Sequence, residues 1–236
     1  MKFLVLQHAA SEHPGSLRDF MRADGFTWDA VELDEGEAIP DVSGYDALLV
    51  LGGPMDVWEE DLHPWLATEK QVIRDWVTAG RPFLGICLGH QLLADAMGGE
   101  VGKMAEPEVG VCNVSLTDEG AACALFAGYP NSFPALQWHG AAVFRAPAGA
   151  KILASSAHCP IQAMQIGPRA FGIQYHVELI DTTVSDWGII PEYRCALESI
   201  TGPGGQERLE AAAAEHMEQF QSNAGRLYCN FKTVLK

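Results

Sequence analysis

The chain has few basic residues and no long apolar run. Lys and Arg total 15 against 31 Asp and Glu in 236 residues, a formal net charge of −16. A surface of that sign repels phosphate backbones and anionic lipid, so neither nucleic acid nor membrane is expected as a partner. The acidity itself reads first as solubility. No stretch approaches the roughly 18 apolar residues that a membrane span needs. The opening MKFLVLQHAASEHPG is interrupted at Gln7 and His8 and lacks a small-residue cleavage pattern, so it is not read as a secretory signal. The phosphate-binding pattern GxxxxGK(S/T) is absent, as is HExxH, and the eight histidines show no metal-ligand spacing. His63 and His158, near prolines, read as loop residues. No metal and no cofactor is therefore expected.

Six cysteines occur without a CxxC pair or zinc-finger spacing. Reduced thiols in the cytoplasm are the expectation, with Cys112, Cys123, Cys159, Cys195 and Cys229 as small core residues. Cys87 stands apart because of its neighbours.

Hydrophobic content of 48% with 19% charged residues suits a globular chain with a substantial core. Phe3–Gln7, Ala47–Leu51 and Phe83–Ile86 are continuous apolar runs bounded by turn residues, the pattern of strands covered on both faces. Thr27–Leu33 alternates like a strand. Helices are expected from Gly15-Ser16 to about Asp24, over Thr68–Ala79, and over Leu88–Met97, the last ended by Gly98-Gly99. This alternation predicts an α/β fold: three layers, a mostly parallel open sheet with helices on both faces. From Glu100 to Tyr175 shorter strands are expected (Val111–Leu116, Val143–Arg145, Ile152–Ser155, Ile161–Ile166, Phe171–Tyr175), forming an antiparallel extension of the same sheet. Pro203 to Gly205 reads as a loop. Gln206–Leu227 carries Leu209, Ala213, Met217, Phe220, Ala224 and Leu227 on one helical stripe. Residues 1–236 are read as one domain, with the helical segment from about 187 packed on it; Trp187, Ile189 and Ile190 fit either core or an interface.

Three local patterns carry chemistry. Gly85-Ile86-Cys87-Leu88-Gly89 lies between a buried strand and a helix, where small residues two positions either side let backbones pass a sharply turned nucleophile. The helix N-terminus favours thiolate, and the Leu88 N–H is available to an oxyanion. Phe171 to Glu178 reads as a strand ending in His176-x-Glu178. Residues two apart share a strand face, so Glu178 can hold the imidazole of His176. Leu51-Gly52-Gly53-Pro54 lies at the carboxyl end of a strand, where open α/β sheets bind ligands, and can present a second N–H to the oxyanion.

Together GGPMDVWEE, GICLGHQLLADAMGG and GIQYHVE resemble the class I (triad) glutamine amidotransferase family, with a flavodoxin-like fold. Within it the chain is most similar to free-standing relatives of the GMP synthase glutaminase domain, including γ-glutamyl peptidase-like hydrolases. The resemblance implies Cys87 as nucleophile, His176 as base and Glu178 as the residue orienting it. It implies the N–H groups of Gly53 and Leu88 as oxyanion donors. Substrate contacts are expected from Gly52, Pro54, Gln91 and the segment Gln137-Trp138-His139, of which Trp138 could equally be core. Val177 stands where the family often has Pro. The implied substrate is glutamine or a γ-glutamyl amine or peptide, hydrolysed through a thioester. Two alternatives remain open: a glutaminase subunit feeding ammonia to a separate synthetase partner, and a non-catalytic redox sensor using the elbow cysteine. The acidic loop 59–61 and the segment 178–191 could shape the far end of the pocket.

Overall fold

The computed structural model describes residues 1–235. Nine strands form one mixed sheet: β1 (Lys2–Gln7), β2 (Thr27–Glu32), β3 (Ala47–Val50), β4 (Phe83–Ile86), β5 (Glu100–Leu116), β6 (Ser132–Arg145), β7 (Lys151–Ser155), β8 (Ala163–Ile166) and β9 (Ala170–Ile173). Their spatial order is β2-β1-β3-β4-β9-β8-β7-β5-β6. The first five in that order run parallel, and every pairing from β9 through β8, β7 and β5 to β6 is antiparallel. The antiparallel part is thus an extension of the parallel sheet, as expected.

The helices are α1 (Leu17–Ala23), α2 (Trp65–Thr78), α3 (Leu88–Ala96), α4 (Asp118–Ala121), α5 (Thr183–Trp187), α6 (Pro191–Thr201) and α7 (Gly205–Lys232). Side-chain alternation along the strands explains the layering. Phe3 and Val5 of β1 join Leu17 and Met21 of α1 and Leu227 and Phe231 of α7 in one core. Leu4 and Leu6 join Ile73 and Trp76 of α2 and Leu92 and Leu93 of α3 in a second, on the other face. A strand buried on both faces must be apolar throughout, which is why β1, β3 and β4 show no polar alternation. A third cluster, containing Leu136, Trp138, Trp187, Tyr193 and Leu197, fastens α5 and α6 onto β6.

Several expectations need correction. β5 and β6 are 17 and 14 residues long, not the short strands read from the sequence. Pro107, Gly110 and Pro134 make them look interrupted, and β5 absorbs this by shifting register against β6 between Lys103 and Glu108. β9 ends at Ile173, so His176 and Glu178 lie beyond the strand, where His176 makes an isolated bridge to Leu136. The C-terminal helix is longer than its apolar stripe at both ends. Of the five cysteines expected in the core, only Cys159 is buried, whereas Cys112 and Cys123 are half-buried and Cys195 and Cys229 are exposed. Trp187 is core and Ile189 is exposed. No helix among the described residues is long and apolar enough to cross a membrane.

Candidate active site

Cys87 occupies the sharp turn between β4 and α3. Its φ of +53° and ψ of −106° make it the only non-glycine with positive φ among the described residues. Such a backbone costs on the order of 1–3 kcal/mol and persists only where the surroundings impose it. Here the Cys87 N–H donates to the Ile173 carbonyl (2.8 Å), the Gly89 N–H donates to the Leu51 carbonyl (3.1 Å), and the Cys87 carbonyl accepts from the His90 and Gln91 N–H groups. The elbow is therefore tied to β9 on one side and to β3 on the other. The glycines are steric requirements: a Cβ on Gly85 would lie 2.4 Å from the Gly89 carbonyl oxygen, and one on Gly89 would lie 2.2 Å from that of Val50.

His176 reaches the site from the segment after β9. Its Nδ1–H donates to Glu178 Oε1 at 2.7 Å, and Glu178 Oε2 accepts from the Val177 N–H at 2.8 Å. The two-residue spacing therefore brings the pair together, although an extended turn and not a strand face does so. With Nδ1 committed, Nε2 is the nitrogen left for Cys87, whose sulfur is one of the groups that influence the ring's titration. Burial by itself would lower the His176 pKa, but the Glu178 carboxylate and the Cys87 sulfur outweigh it and hold the pKa well above its ordinary value. Trp187 packs on the ring with centroids 4.3 Å apart. Gln174 Nε2 lies 3.6 Å from the sulfur.

A cavity of about 150 Å³ opens over the thiol. That is below the ~300–1,000 Å³ typical of drug-sized ligands and suits a small amino-acid derivative. Of the expected contact residues, Gly53, Pro54, Leu88, Gln91, Trp138 and His139 line it, while Gly52 and Gln137 do not. Gly52 is buried behind the loop against Glu12, whose carboxylate would lie 2.4 Å from an added Cβ. Gln137 is fully buried away from the cavity. Neither the Gly53 nor the Leu88 N–H takes part in a hydrogen bond among the described residues. Gln91 has its amide turned to the Ala141 carbonyl (3.0 Å) and to Gln174 Oε1 (3.1 Å), so it braces the wall. Trp138 serves in two ways: it borders the cavity, and its indole N–H donates to the Tyr193 carbonyl (3.0 Å) within the third cluster. The acidic loop 59–61 is not in the lining, whereas Asp56 and Glu192 are, and no Lys or Arg is.

Four further residues at the site carry no sequence motif. Glu12 is buried, accepts the Tyr193 hydroxyl at 2.5 Å through Oε1, and leaves Oε2 unpartnered. Desolvation, the largest influence, raises its pKa above the ordinary carboxylate value, although His176 and Tyr193 pull the other way. His8 and Glu69 form a fully buried pair beneath the Gly52-Gly53 loop. The signal that could have found His8 and Glu12 is their position at the carboxyl end of β1. Gly15, at φ +47°, lets this loop pass the base: a Cβ there would lie 1.6 Å from the Glu178 carbonyl oxygen, which accepts from the Ser16 N–H. Two groups of atoms have the mutual spacing of metal ligands, Glu12–His176–Glu178 and Glu108–His139–Cys159, each within 4.8 Å. In both, a histidine nitrogen already lies close to a glutamate oxygen of the group, at 3.2 Å for His139–Glu108 and 2.7 Å for His176–Glu178.

A strained cysteine elbow, an imidazole held by a carboxylate and two unpaired N–H groups beside an open α/β sheet are the parts that thiol-dependent acyl transfer requires. The chain belongs to the class-I glutamine amidotransferases: the profile of that family matches residues 16–186. It is 40% identical to the glutamine-hydrolysing GMP synthase of Aeropyrum pernix over 65% of the chain, but spans only 28% of that protein's length. It is 35% identical to one subunit of the glutamine-hydrolysing GMP synthase of Sulfolobus acidocaldarius (65% of the chain, 78% of the relative). It is 31% identical to the glutamine amidotransferase-like protein YfeJ of Salmonella typhimurium (75% and 76%). Among solved structures, a glutamine amidotransferase from Thermotoga maritima superposes over 100% of this chain and 98% of its own, with TM-score 0.87 and 25% identity.

Proposed function

We propose that the protein hydrolyses a γ-glutamyl amide through a γ-glutamyl thioester on Cys87. The observation that carries this reading is the strained elbow at Cys87 together with an imidazole whose Nδ1 is committed to Glu178, which leaves Nε2 for the thiol. The Cys87 thiolate attacks the γ-carbonyl carbon. The oxyanion is held by the N–H groups of Gly53 and Leu88, donors of a type worth roughly 3–4 kcal/mol each. Nε2–H of His176 protonates the amide nitrogen, the C–N bond breaks, and ammonia or an amine leaves. His176 then takes a proton from water as the water attacks the thioester. The C–S bond breaks and the acid is released with the thiol restored. The substrate's α-ammonium suits a cavity whose only charged lining residues are Asp56 and Glu192.

Two features favour a self-contained hydrolase. α6 of the same chain closes one side of the cavity through Glu192 and Tyr193, and α5 packs Trp187 on the His176 ring. The Thermotoga structure overlies the entire chain, these helices included. The identity with the Sulfolobus GMP synthase subunit supports a second reading, a glutaminase that passes ammonia to a synthetase partner. The deciding experiment measures ammonia or amine release from glutamine and a panel of γ-glutamyl amides by the purified chain, with Cys87→Ala as control. Turnover lost in Cys87→Ala is expected. Turnover retained in it overturns the assignment, and negligible turnover with Cys87 still labelled by a glutamine-mimicking electrophile selects the partner-dependent reading.

A further inference from the structure

Beneath the loop that carries Gly53 lies a buried ion pair that the thioester chemistry does not itself require. His8 follows β1, and its ring is fully buried between the Gly52-Gly53 loop and α2. Nδ1 lies 2.8 Å from the Gly52 carbonyl oxygen. Nε2 lies 3.0 and 3.2 Å from the two carboxylate oxygens of Glu69, which has no exposure of its own. A carbonyl and a carboxylate can only accept, so both ring nitrogens carry a proton and His8 is an imidazolium. Burial opposes that charge, but Glu69 and the Gly52 carbonyl overcome it and raise the His8 pKa. The charged groups facing the ring are Glu69 and, more weakly, Glu12; Trp65 stacks on its face at 5.4 Å.

The consequence lies on the far side of one peptide bond. No peptide among the described residues is cis, so the C=O and N–H of the Gly52–Gly53 unit point in opposite directions. Fixing the carbonyl on His8 therefore fixes the Gly53 N–H away from it, at the residue that lines the cavity over Cys87. Two adjacent glycines would otherwise leave this peptide free to rotate. Gly53 also packs directly on His8: a Cβ there would lie 2.7 Å from His8 Cβ. A charged donor on the carbonyl additionally polarises the peptide and strengthens its N–H as a donor.

We propose that His8, held as an imidazolium by Glu69, is a positioning residue that orients and polarises the Gly52–Gly53 peptide and so assembles half of the oxyanion hole without any partner protein. The inference rests on the hydrolytic reading above and deepens it: with this half built from the chain's own interior, turnover does not wait for a second protein.

The test compares native protein with His8→Ala and with the double variant His8→Asn/Glu69→Gln. The double variant keeps a donor near the Nδ1 position while removing both charges. Three quantities are read: steady-state kinetics on a γ-glutamyl anilide, affinity for glutamate γ-semialdehyde, and the rate of Cys87 alkylation by iodoacetamide. The aldehyde forms a thiohemiacetal whose oxygen sits in the oxyanion hole, whereas iodoacetamide places no oxyanion there. For His8→Ala, kcat and aldehyde affinity are expected to fall together by about 10- to 100-fold, below the ~10²–10³ seen when a whole oxyanion donor is removed. KM and the alkylation rate should stay within about twofold, and the double variant should lie between it and native. A folded His8→Ala with native kcat and aldehyde affinity overturns the proposal while leaving the hydrolase reading intact. So does an alkylation rate that falls as far as kcat, because His8 would then act on the nucleophile. If His8→Ala fails to fold, the double variant decides, and native aldehyde affinity in it is again fatal. Should native protein bind the aldehyde but turn over no γ-glutamyl amide, hydrolysis fails as the function and the aldehyde affinities still judge His8. Native protein that does neither overturns both.

Discussion

Replacing Glu178 by Gln probes the relay at the residue that orients the imidazole. The native carboxylate accepts twice, from His176 Nδ1–H at 2.7 Å and from the Val177 N–H at 2.8 Å. A carboxamide has one acceptor and one donor, so only one bond can survive in place. If its oxygen keeps His176, an NH₂ group is driven against the Val177 N–H. If its oxygen takes Val177, the NH₂ faces Nδ1, and the neutral ring must then carry its proton on Nε2, the nitrogen that has to accept from Cys87. Either outcome weakens the thiolate–imidazolium pair. The wrong-tautomer case in serine hydrolases costs up to about 10⁴ in kcat; here a loss of about 10²–10⁴ is expected, or roughly 2.7–5.4 kcal/mol in the barrier. Because Glu178 helps hold the His176 pKa up, its loss should also change the pH profile of Cys87 alkylation by iodoacetamide, since the ring is less often an imidazolium at neutral pH. The assay is kcat/KM on a γ-glutamyl amide beside that alkylation profile, read by mass spectrometry at Cys87. Activity within threefold of native, with an unmoved profile, would refute the reasoning.

Gly89→Ala places a methyl 2.2 Å from the Val50 carbonyl oxygen; α3 must move off β3, with a loss of about 1–3 kcal/mol and about 2–4 °C in Tm per kcal/mol, measured by calorimetry. Glu12→Gln should stabilise the protein at pH 7.5 but not at acid pH. The folded pKa of Glu12 is raised, so the native state binds its proton more tightly than the unfolded chain and loses stability as pH rises from the ordinary carboxylate range through the folded value. Gln is a fixed mimic of the protonated form, and equal Tm differences at both pH values would contradict this. His176 has the same sign, since its folded pKa is also raised: its contribution is complete below about pH 6.5 and fades as pH climbs through the folded value. A limiting dose of maleimide at pH 7 should modify the exposed Cys195 and Cys229 and spare Cys159, which burial pushes up to about 12; peptide mapping reads the outcome.

The elbow was legible because its requirements are local. A buried strand, a cysteine, two glycines and a helix are consecutive in sequence, and the steric need for Gly85 and Gly89 follows from that turn alone. β1, β3 and β4 were legible because burial on both faces leaves them uniformly apolar. β5 and β6 were not: β6 is the edge strand and β5 meets β7 only at Ser115 and Leu116, positions that tolerate polar residues, glycine and proline, so neither period nor composition marks 31 residues of strand as two continuous elements. The His-x-Glu spacing pointed to a pair, but the chain geometry that joins them is a turn fixed by the Leu136 bridge, a contact 40 residues away. Gln137 was misplaced although Trp138 and His139 beside it do line the cavity, because its side chain is fully buried, which no local pattern marks. His8, Glu12 and Glu69 carry no motif because their partners come from three different segments.

The strand order has a kinetic side. β4, which ends at the thiol, is flanked in the sheet by β3 and β9, yet β9 is made only after the chain has laid down β5 to β8. During synthesis from the N-terminus, Cys87 therefore emerges long before the segment that supplies its base. The closing event is a non-local insertion of β9 between β4 and β8, the kind of long-range pairing whose entropy must be met before its contacts form. Until then the Cys87 N–H lacks the Ile173 carbonyl that holds the elbow, and the sulfur has no imidazole. On the proposed mechanism a nascent or partly folded chain thus carries Cys87 without its base, and the relay exists only when the sheet is zipped shut.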